Sequence, residues 1–267
     1  MSQSSMAVKK MITLTSDFGL KDPYVAEMKG VILTINPQAT IIDVTHSVEK
    51  FDIREGAFVL ASAAPYFPKD TIHLAVIDPD VGTERRAILI QTKRGFFVGP
   101  DNGVLMLAAQ NQGIEHLYSI SNSKFMLPKV SSTFHGRDVF APAAAHLGKG
   151  IKPSEFGPEI TESATAKFAS VERRNSSLIG EVWHIDDFGN IITNISQKDL
   201  LQNRVVNVKL SGVLQNISFG ETYAQVKLHE PLALIGSHGF LEIALNQGNA
   251  AKKFHAKAGD KIEISIE

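Results

Sequence analysis

The sequence predicts two parts of different class: an α/β N-terminal domain with a mostly parallel sheet, then a smaller all-β, barrel-like C-terminal domain. Three observations carry this. Up to about residue 148, short β-branched runs alternate with segments of helical periodicity, the pattern of strands and helices wound into one sheet. The run TIHLAVI, Thr71–Ile77, is apolar without alternation, as expected of a strand covered on both faces. After residue 177 only short β-rich runs remain, separated by turn residues.

In the first part, Ile12–Thr15 reads as a strand and Pro23–Ile35 as a helix with Tyr24, Val31 and Ile35 near one face. Ile41–Val44 is a second strand and Ile53–Ala64 a second helix. Strands at Ala87–Gln91, Phe96–Val98 and Leu117–Ile120 follow, with a helix at Val104–Gln110. Asp138–Leu147 reads as a last helix whose start or kink is set by Pro142. Residues 149–177 hold Pro153, Pro158 and RRNSS and change character. The boundaries drawn are a catalytic domain over 1–160, a linker over 161–177 and a substrate-binding barrel over 178–267. Barrel strands are expected at Leu178–Ile185, Ile191–Ile195, Val205–Leu210, Tyr223–Leu228, Leu232–Ile235, Leu241–Leu245 and Lys261–Ile266.

Composition narrows the function. The 267 residues are 43% hydrophobic and 21% charged, ordinary for a globular protein. Lys plus Arg number 27 against 28 for Asp plus Glu, and no basic cluster exceeds KK or RR, so nucleic acid is not an expected partner. No cysteine is present, which removes disulfides, thiolate nucleophiles and Cys-ligated metals. The N-terminus MSQSSMAVKKMITLTSDFG has too short an apolar run for a signal peptide or a membrane span, and a soluble cytoplasmic protein is expected.

In open α/β sheets, ligands bind beyond the carboxyl ends of strands. There the chain places TSDFGLKDPY with Asp17 and Asp22, IDPDVGTERR with Asp78, Arg85 and Arg86, GPDNG with Asp101 and Asn102, and STFHGRD with Phe134, His135 and Asp138. Each admits a plainer reading: an Asp caps a helix, DNG makes a turn, and a single His is commonly a packed one. Their concentration at the strand ends of one half favours a site. GxxxxGK[ST], GxGxxG after the first strand, HExxH and GxSxG are all missing. A hard cation takes about 6–8 oxygen ligands, and TSDFGLKDPY supplies two aspartates with a Lys between them, so no metal and no cofactor are expected. The second half adds IDDFGNIITNI, with Asp186, Phe188 and Asn190, and GSHGFLEIALNQGNAA, with Ser237, Asn246 and Gln247, where turn formation is again the plainer reading.

Taken in order, TSDFG, IDPDVGTERR, GPDNG, TFHGRD, DFGN..TNI and LEIALNQGNAA resemble the S-adenosyl-L-methionine hydroxide adenosyltransferases, adenosine-forming hydrolases related to the fluorinase and chlorinase. The resemblance spans Met11 to Ile266. It implies hydrolysis of S-adenosyl-L-methionine by a homotrimer whose sites lie between the N-terminal domain of one subunit and the C-terminal domain of the next. It also implies that Asp78, Arg85 and His135 handle the water and that Asp17 holds the ribose hydroxyls. Asp186 and Asn190 would bind the methionine portion with Phe188 packed nearby. Tyr223 would stack on the adenine, whose edge the backbone of Leu245–Gln247 would read, with Phe134 and Ser237 also at the substrate. Gly82 and Thr83 shape their loop, and Arg86 is a surface charge. Halogenating relatives carry a Ser after an aromatic and a long extra loop in the first domain. Here His135 and Gly136 stand in that place and Phe96–Ile120 is compact, which favours water over halide. A halogenase, a non-catalytic sensor of adenosine or S-adenosyl-L-methionine, and a calcium-dependent ribohydrolase are the alternatives.

Overall fold

A computed structural model describes residues 11–166, 168–200 and 205–266. Most of the N-terminal stretch read for a signal peptide, and residue 167 of the expected linker, lie outside the described residues. The chain divides into two compact units between residues 167 and 168. No described helix is long and apolar enough to cross a membrane.

The first unit holds β1 (Met11–Ser16), α1 (Tyr24–Ile35), β2 (Thr40–Thr45), α2 (Ile53–Ala63), β3 (Thr71–Val76), β4 (Ala87–Thr92), β5 (Gly95–Pro100), α3 (Met106–Gln112), β6 (Ile114–Ser119) and α4 (Ala141–Gly148). The strands form one sheet in the order β2-β1-β3-β5-β4-β6. The β1–β2, β1–β3 and β3–β5 pairings are parallel, whereas β4 runs antiparallel to both β5 and β6. The sheet is therefore mostly parallel, with one reversed strand.

Every residue of β3 is buried because helices cover both faces. Ile72, Leu74 and Val76 point into a core shared with Met28 and Ile32 of α1 and with the alanines of α4. Ala75 and Ile77 point the other way, towards Leu60 of α2 and Leu105, Ala108 and Ala109 in and before α3. Burial of each large aliphatic side chain in such a core contributes roughly 1.5–3 kcal/mol. The core face of α1 is Val25, Met28 and Ile32, with Val31 and Ile35 at its flank. Tyr24, expected on that face, is 44% exposed and serves a cavity wall instead.

The last helix begins differently from a simple reading. A π-helical turn, Gly136–Phe140, leads into α4, and Pro142 sits at its start. Proline has no N–H for the carbonyl four residues back. That carbonyl, on Asp138, accepts the Leu127 N–H at 2.9 Å instead. Residues 151–160 then run along the edge strand β6, with Ile160 N–H donating to the Leu117 carbonyl and Phe156 fully buried.

The second unit contains β7 (Glu172–Arg174), β8 (Ser177–Ile185), β9 (Ile191–Ser196), a short α5 (Gln197–Leu200), β10 (Val205–Leu210), β11 (Val213–Asn216), β12 (Ser218–Phe219), β13 (Pro231–Ile235), β14 (Phe240–Leu245), α6 (Ala250–Phe254) and β15 (Lys261–Ile266). They join as β11-β10-β15-β8-β9-β14-β13-β12, with β7 added on β8. β12 returns beside β10, so the sheet is nearly closed and barrel-like around Val182, Ile191, Val208, Ile243, Phe254 and Ile264. The strand expected at Tyr223–Leu228 is instead a 3-10 turn, Tyr223–Gln225, in which Thr222 and Gln225 cap each other. Ala224, Val226 and Leu228 alternate as a strand would, but the capping pair selects the turn.

One buried group makes the first unit sensitive to acid. His73 on β3 is 2% exposed, stacks on Phe97 at 4.9 Å and shares a 2.9 Å hydrogen bond with Thr13. Burial lowers its pKa from 6.5 to about 4. The unfolded chain thus binds a proton there between these values when the folded chain does not, and stability falls as pH drops through that window. Urea unfolding from pH 7 to 4 should show a loss of about 3 kcal/mol attributable to this group, and His73→Gln should lose less over the same range. Equal slopes for both proteins would contradict it.

Candidate active site

The reversed strand builds the site. β1, β3 and β5 leave the sheet by their carboxyl ends at one edge, and β4 enters at that same edge because it runs the other way. Asp78, two residues after β3, and Arg85, two residues before β4, are therefore brought together by a single loop. Gly82 allows that loop to close. Its φ is +81°, and an added Cβ would lie 2.2 Å from the Ser132 carbonyl oxygen. The Thr83 hydroxyl donates to the Asp80 carbonyl at 2.8 Å and accepts the Arg85 N–H at 3.3 Å.

Arg85 clasps Asp78 in two places. Its Nε donates to Oδ1 at 2.8 Å, and its Nη2 donates to Oδ2. Both side chains are buried, at 8% and 4% exposure. Such a bidentate, charge-assisted pair fixes the carboxylate in plane and leaves it lone pairs for a further donor. The same Nη2 lies 2.9 Å from Nδ1 of His135. Because a guanidinium only donates, Nδ1 is the acceptor and the neutral ring carries its proton on Nε2. Burial lowers the His135 pKa, and the Arg85 charge lowers it further, against opposing pulls from Asp78 and Asp138. Phe140 lies beneath the guanidinium at 5.2 Å.

A second network holds the turn that carries His135. Asp138 is fully buried and accepts from Arg137 Nε at 2.7 Å and from the Ser131 N–H at 2.8 Å. Burial works to raise its pKa, but these hydrogen bonds outweigh it and hold the carboxyl below its ordinary value. Asp138 is thus a buried anchor rather than a helix cap. Arg137 also pairs with Glu27 at 2.9 Å and lies over Phe134 at 5.1 Å.

Asp78, His135, Arg137 and Glu27 line a cavity of about 460 Å³, with Arg85 and Asp138 behind them. Phe18, Tyr24 and Phe134 form an aromatic wall with ring centroids 5.2–5.8 Å apart, all edge-to-face. Asp78, His135, Ser131 and Thr133 supply polar groups. Apolar walls with a few convergent polar groups are the usual make-up of a small-molecule site. Asp17, 5% exposed, precedes Phe18; its Oδ2 accepts the Phe51 N–H at 2.9 Å, and its carbonyl accepts from Lys50 Nζ. It too caps no helix.

GPDNG is structural. Asn102 donates to the Ile77 carbonyl at 2.8 Å and accepts the Val104 N–H, while Gly103 leaves no room for a Cβ beside residues 165 and 166. Arg86 is more than a surface charge. Its Nε binds Asp101 at 2.8 Å and its Nη2 the Glu162 carbonyl at 2.8 Å, tying the β3–β4 loop to the chain after β5.

In the second unit, Asp186 organises its own turn. Oδ1 accepts the N–H groups of Phe188 at 3.0 Å and Asn190 at 2.8 Å, and Oδ2 accepts Asn190 Nδ2 at 2.9 Å. Gly189, at φ +85°, packs directly on the Asn249 side chain. Phe188 is 79% exposed. Asn246 donates to the Val226 carbonyl at 2.7 Å, and Gln247 takes φ +52°. Ser237 is exposed and precedes β14, whereas Asn246 and Gln247 follow it, so they stand at opposite ends of one strand. Tyr223 donates its hydroxyl to Glu242 at 2.7 Å. Burial raises the pKa of Glu242, the Asp186 charge adds to that rise, and the Tyr223 hydrogen bond opposes it. Among the described residues, no three His, Asp or Glu side chains converge as a cation site would require.

Sequence reasoning passed over Glu242, Tyr24, Phe18 and Lys50 as site residues. Glu242 alone left a signal: a charge inside the apolar run FLEIAL needs a buried partner.

The chain is similar to known proteins along most of its length. A Methanocaldococcus jannaschii protein described as (R)-S-adenosyl-L-methionine hydrolase is 40% identical over 95% of each chain. A fluorinase from Actinoplanes sp. is more distant, 29% identical over 96% of this chain and 97% of its own. The crystal structure of an uncharacterized conserved protein from Thermotoga maritima superposes with a TM-score of 0.91 at 40% identity, over 96% of this chain and all of that one. Residues 12–157 match the model of the SAM hydroxide adenosyltransferase N-terminal domain and residues 180–263 that of the C-terminal domain. This chain belongs to the SAM hydroxide adenosyltransferase family.

Proposed function

We propose that the protein hydrolyses S-adenosyl-L-methionine to adenosine and L-methionine. The observation that carries this is the Asp78–Arg85–His135 set at the wall of a mixed aromatic and polar cavity, in a chain 40% identical to a relative described as the corresponding hydrolase.

The chemistry asks little of the protein beyond placement. Water oxygen forms a bond to the ribose 5′ carbon while the bond from that carbon to sulfur breaks, its electron pair going to sulfur. The sulfonium becomes the neutral thioether of methionine, so the leaving group needs no acid. The water's surplus proton passes towards Asp78, held in orientation by Arg85. Neutral His135 presents Nε2–H as a further positioning donor. Holding water in line with the carbon contributes several kcal/mol, up to about 7–11 in good cases.

Asp17 takes the ribose hydroxyls and Phe134 packs beside them. Asp186 and Asn190 take the methionine portion with Phe188 against it. Tyr223 stacks on the adenine and the Leu245–Gln247 backbone reads its edge, with Ser237 at the substrate. A cytoplasmic homotrimer, with each site completed by a neighbouring subunit, is the assembly this reading carries. It rests on the family resemblance, and sedimentation would measure it.

Chromatography of products from purified protein and S-adenosyl-L-methionine should show adenosine and methionine in equal amounts. Asp78→Asn should lower kcat by at least about 100-fold with KM changed far less; an unchanged kcat would overturn the assignment. Because His135 is held neutral by burial and by Arg85, its contribution to kcat/KM should persist at pH 6.5 and be lost only below it. An acid limb centred above 6.5 would contradict that. Excess chloride or fluoride should give no 5′-halo-adenosine, since His135 and Gly136 replace the halide-holding Ser; halide incorporation would favour the halogenase. Tight binding without turnover would favour a sensor.

A further inference from the structure

We infer that His46 is a positioning residue for ribose recognition, acting through the loop that presents Asp17 and Phe18. This rests on the reading of Asp17 given above.

The loop Ser16–Gly19 takes polar contacts from the chain following β2, at His46, Lys50 and Phe51. The β1–β2 register slips there: Leu14 pairs with Asp43 but Thr15 pairs with Thr45, so one residue bulges out. A bulge re-aims the side chains beyond it. Here it turns His46, 6% exposed, onto the end of β1. His46 Nδ1 lies 2.8 Å from the Ser16 hydroxyl, and the His46 carbonyl accepts the Gly19 N–H at 2.7 Å. One residue thus holds both ends of the loop whose middle is Asp17 and Phe18.

The ring is itself oriented. Nε2 faces Asp43 Oδ1 at 3.1 Å, and Asp43 is held by Lys29 at 2.6 Å. With the ring proton on Nε2 towards the carboxylate, Nδ1 accepts from the Ser16 hydroxyl, whose oxygen accepts the Phe18 N–H at 3.3 Å. The chain of polarity runs from the Phe18 backbone to Asp43. Serine, histidine and aspartate here resemble a hydrolytic triad in composition, but Ser16 is 1% exposed and no substrate reaches it. Lys50 Nζ on the Asp17 carbonyl and the Phe51 N–H on its carboxylate complete the grip.

The test compares kinetics on S-adenosyl-L-methionine and on its analogue lacking both ribose hydroxyls. His46→Ala and Ser16→Ala should each raise KM for the natural substrate about tenfold, with kcat within about twofold. On the dideoxy analogue, both variants should match the wild type. His46→Asn, whose side-chain oxygen can accept from Ser16, should recover most of the affinity. Loss shared equally by both substrates, or an unchanged KM in either alanine variant, would overturn the inference. If the wild type yields no adenosine at all, the proposed reaction fails. The inference is then read from the ratio of affinities for adenosine and its dideoxy form, which should shrink in both alanine variants; an unchanged ratio would overturn it.

Discussion

The buried pair of Asp78 and Arg85 depends on the direction of one strand. Were β4 parallel to its neighbours, Arg85 would enter at the opposite edge of the sheet, a strand length from Asp78. Instead β4 begins where β3 ends and runs back along the sheet, and β5 returns from it as a hairpin to pair with β3. The short loop between them then needs only Gly82 at positive φ and the Thr83 turn to lay the guanidinium on the carboxylate. His135, arriving on a different element, docks against the same guanidinium.

An ion pair this buried is not primarily a source of stability. Desolvating two charges offsets much of their attraction, while removing one partner leaves the other stranded, at a cost of about 3–5 kcal/mol. Its value lies in geometry. The carboxylate is held in plane beside the cavity, and burial together with the adjoining cation favours neutral His135. A second pair, Arg137 with Asp138, does the corresponding work for the turn beneath His135. Charge in this unit is thus used to orient groups at the cavity wall.

Much of this was legible in the sequence, for reasons that differ by residue. Thr71–Ile77 announced a covered strand because an all-apolar run has no face for water. Asp78, Arg85 and His135 stood out because strand ends collect polar chemistry and because the ordered motifs resemble one family. The reversal of β4 was not legible, since Ala87–Gln91 and Phe96–Val98 read alike in either direction. The turn at Tyr223 was misread because its capping pair competes with an apolar pattern that also suits a strand. Asp17 and Asp138 looked like helix caps, and only the fold shows them gripped by Phe51 and by Arg137 and Ser131. The role of Arg86 was hidden because its partners, Asp101 and the Glu162 carbonyl, lie 15 and 76 residues away.

The central claim is that water attacks the ribose 5′ carbon in a cavity where Asp78 is held by Arg85. The most direct measurement is turnover in heavy-oxygen water, followed by mass spectrometry of both products. The account predicts one heavy oxygen in the 5′ hydroxyl of adenosine and none in methionine. Adenosine without the label, or label carried by the amino-acid product, would contradict it.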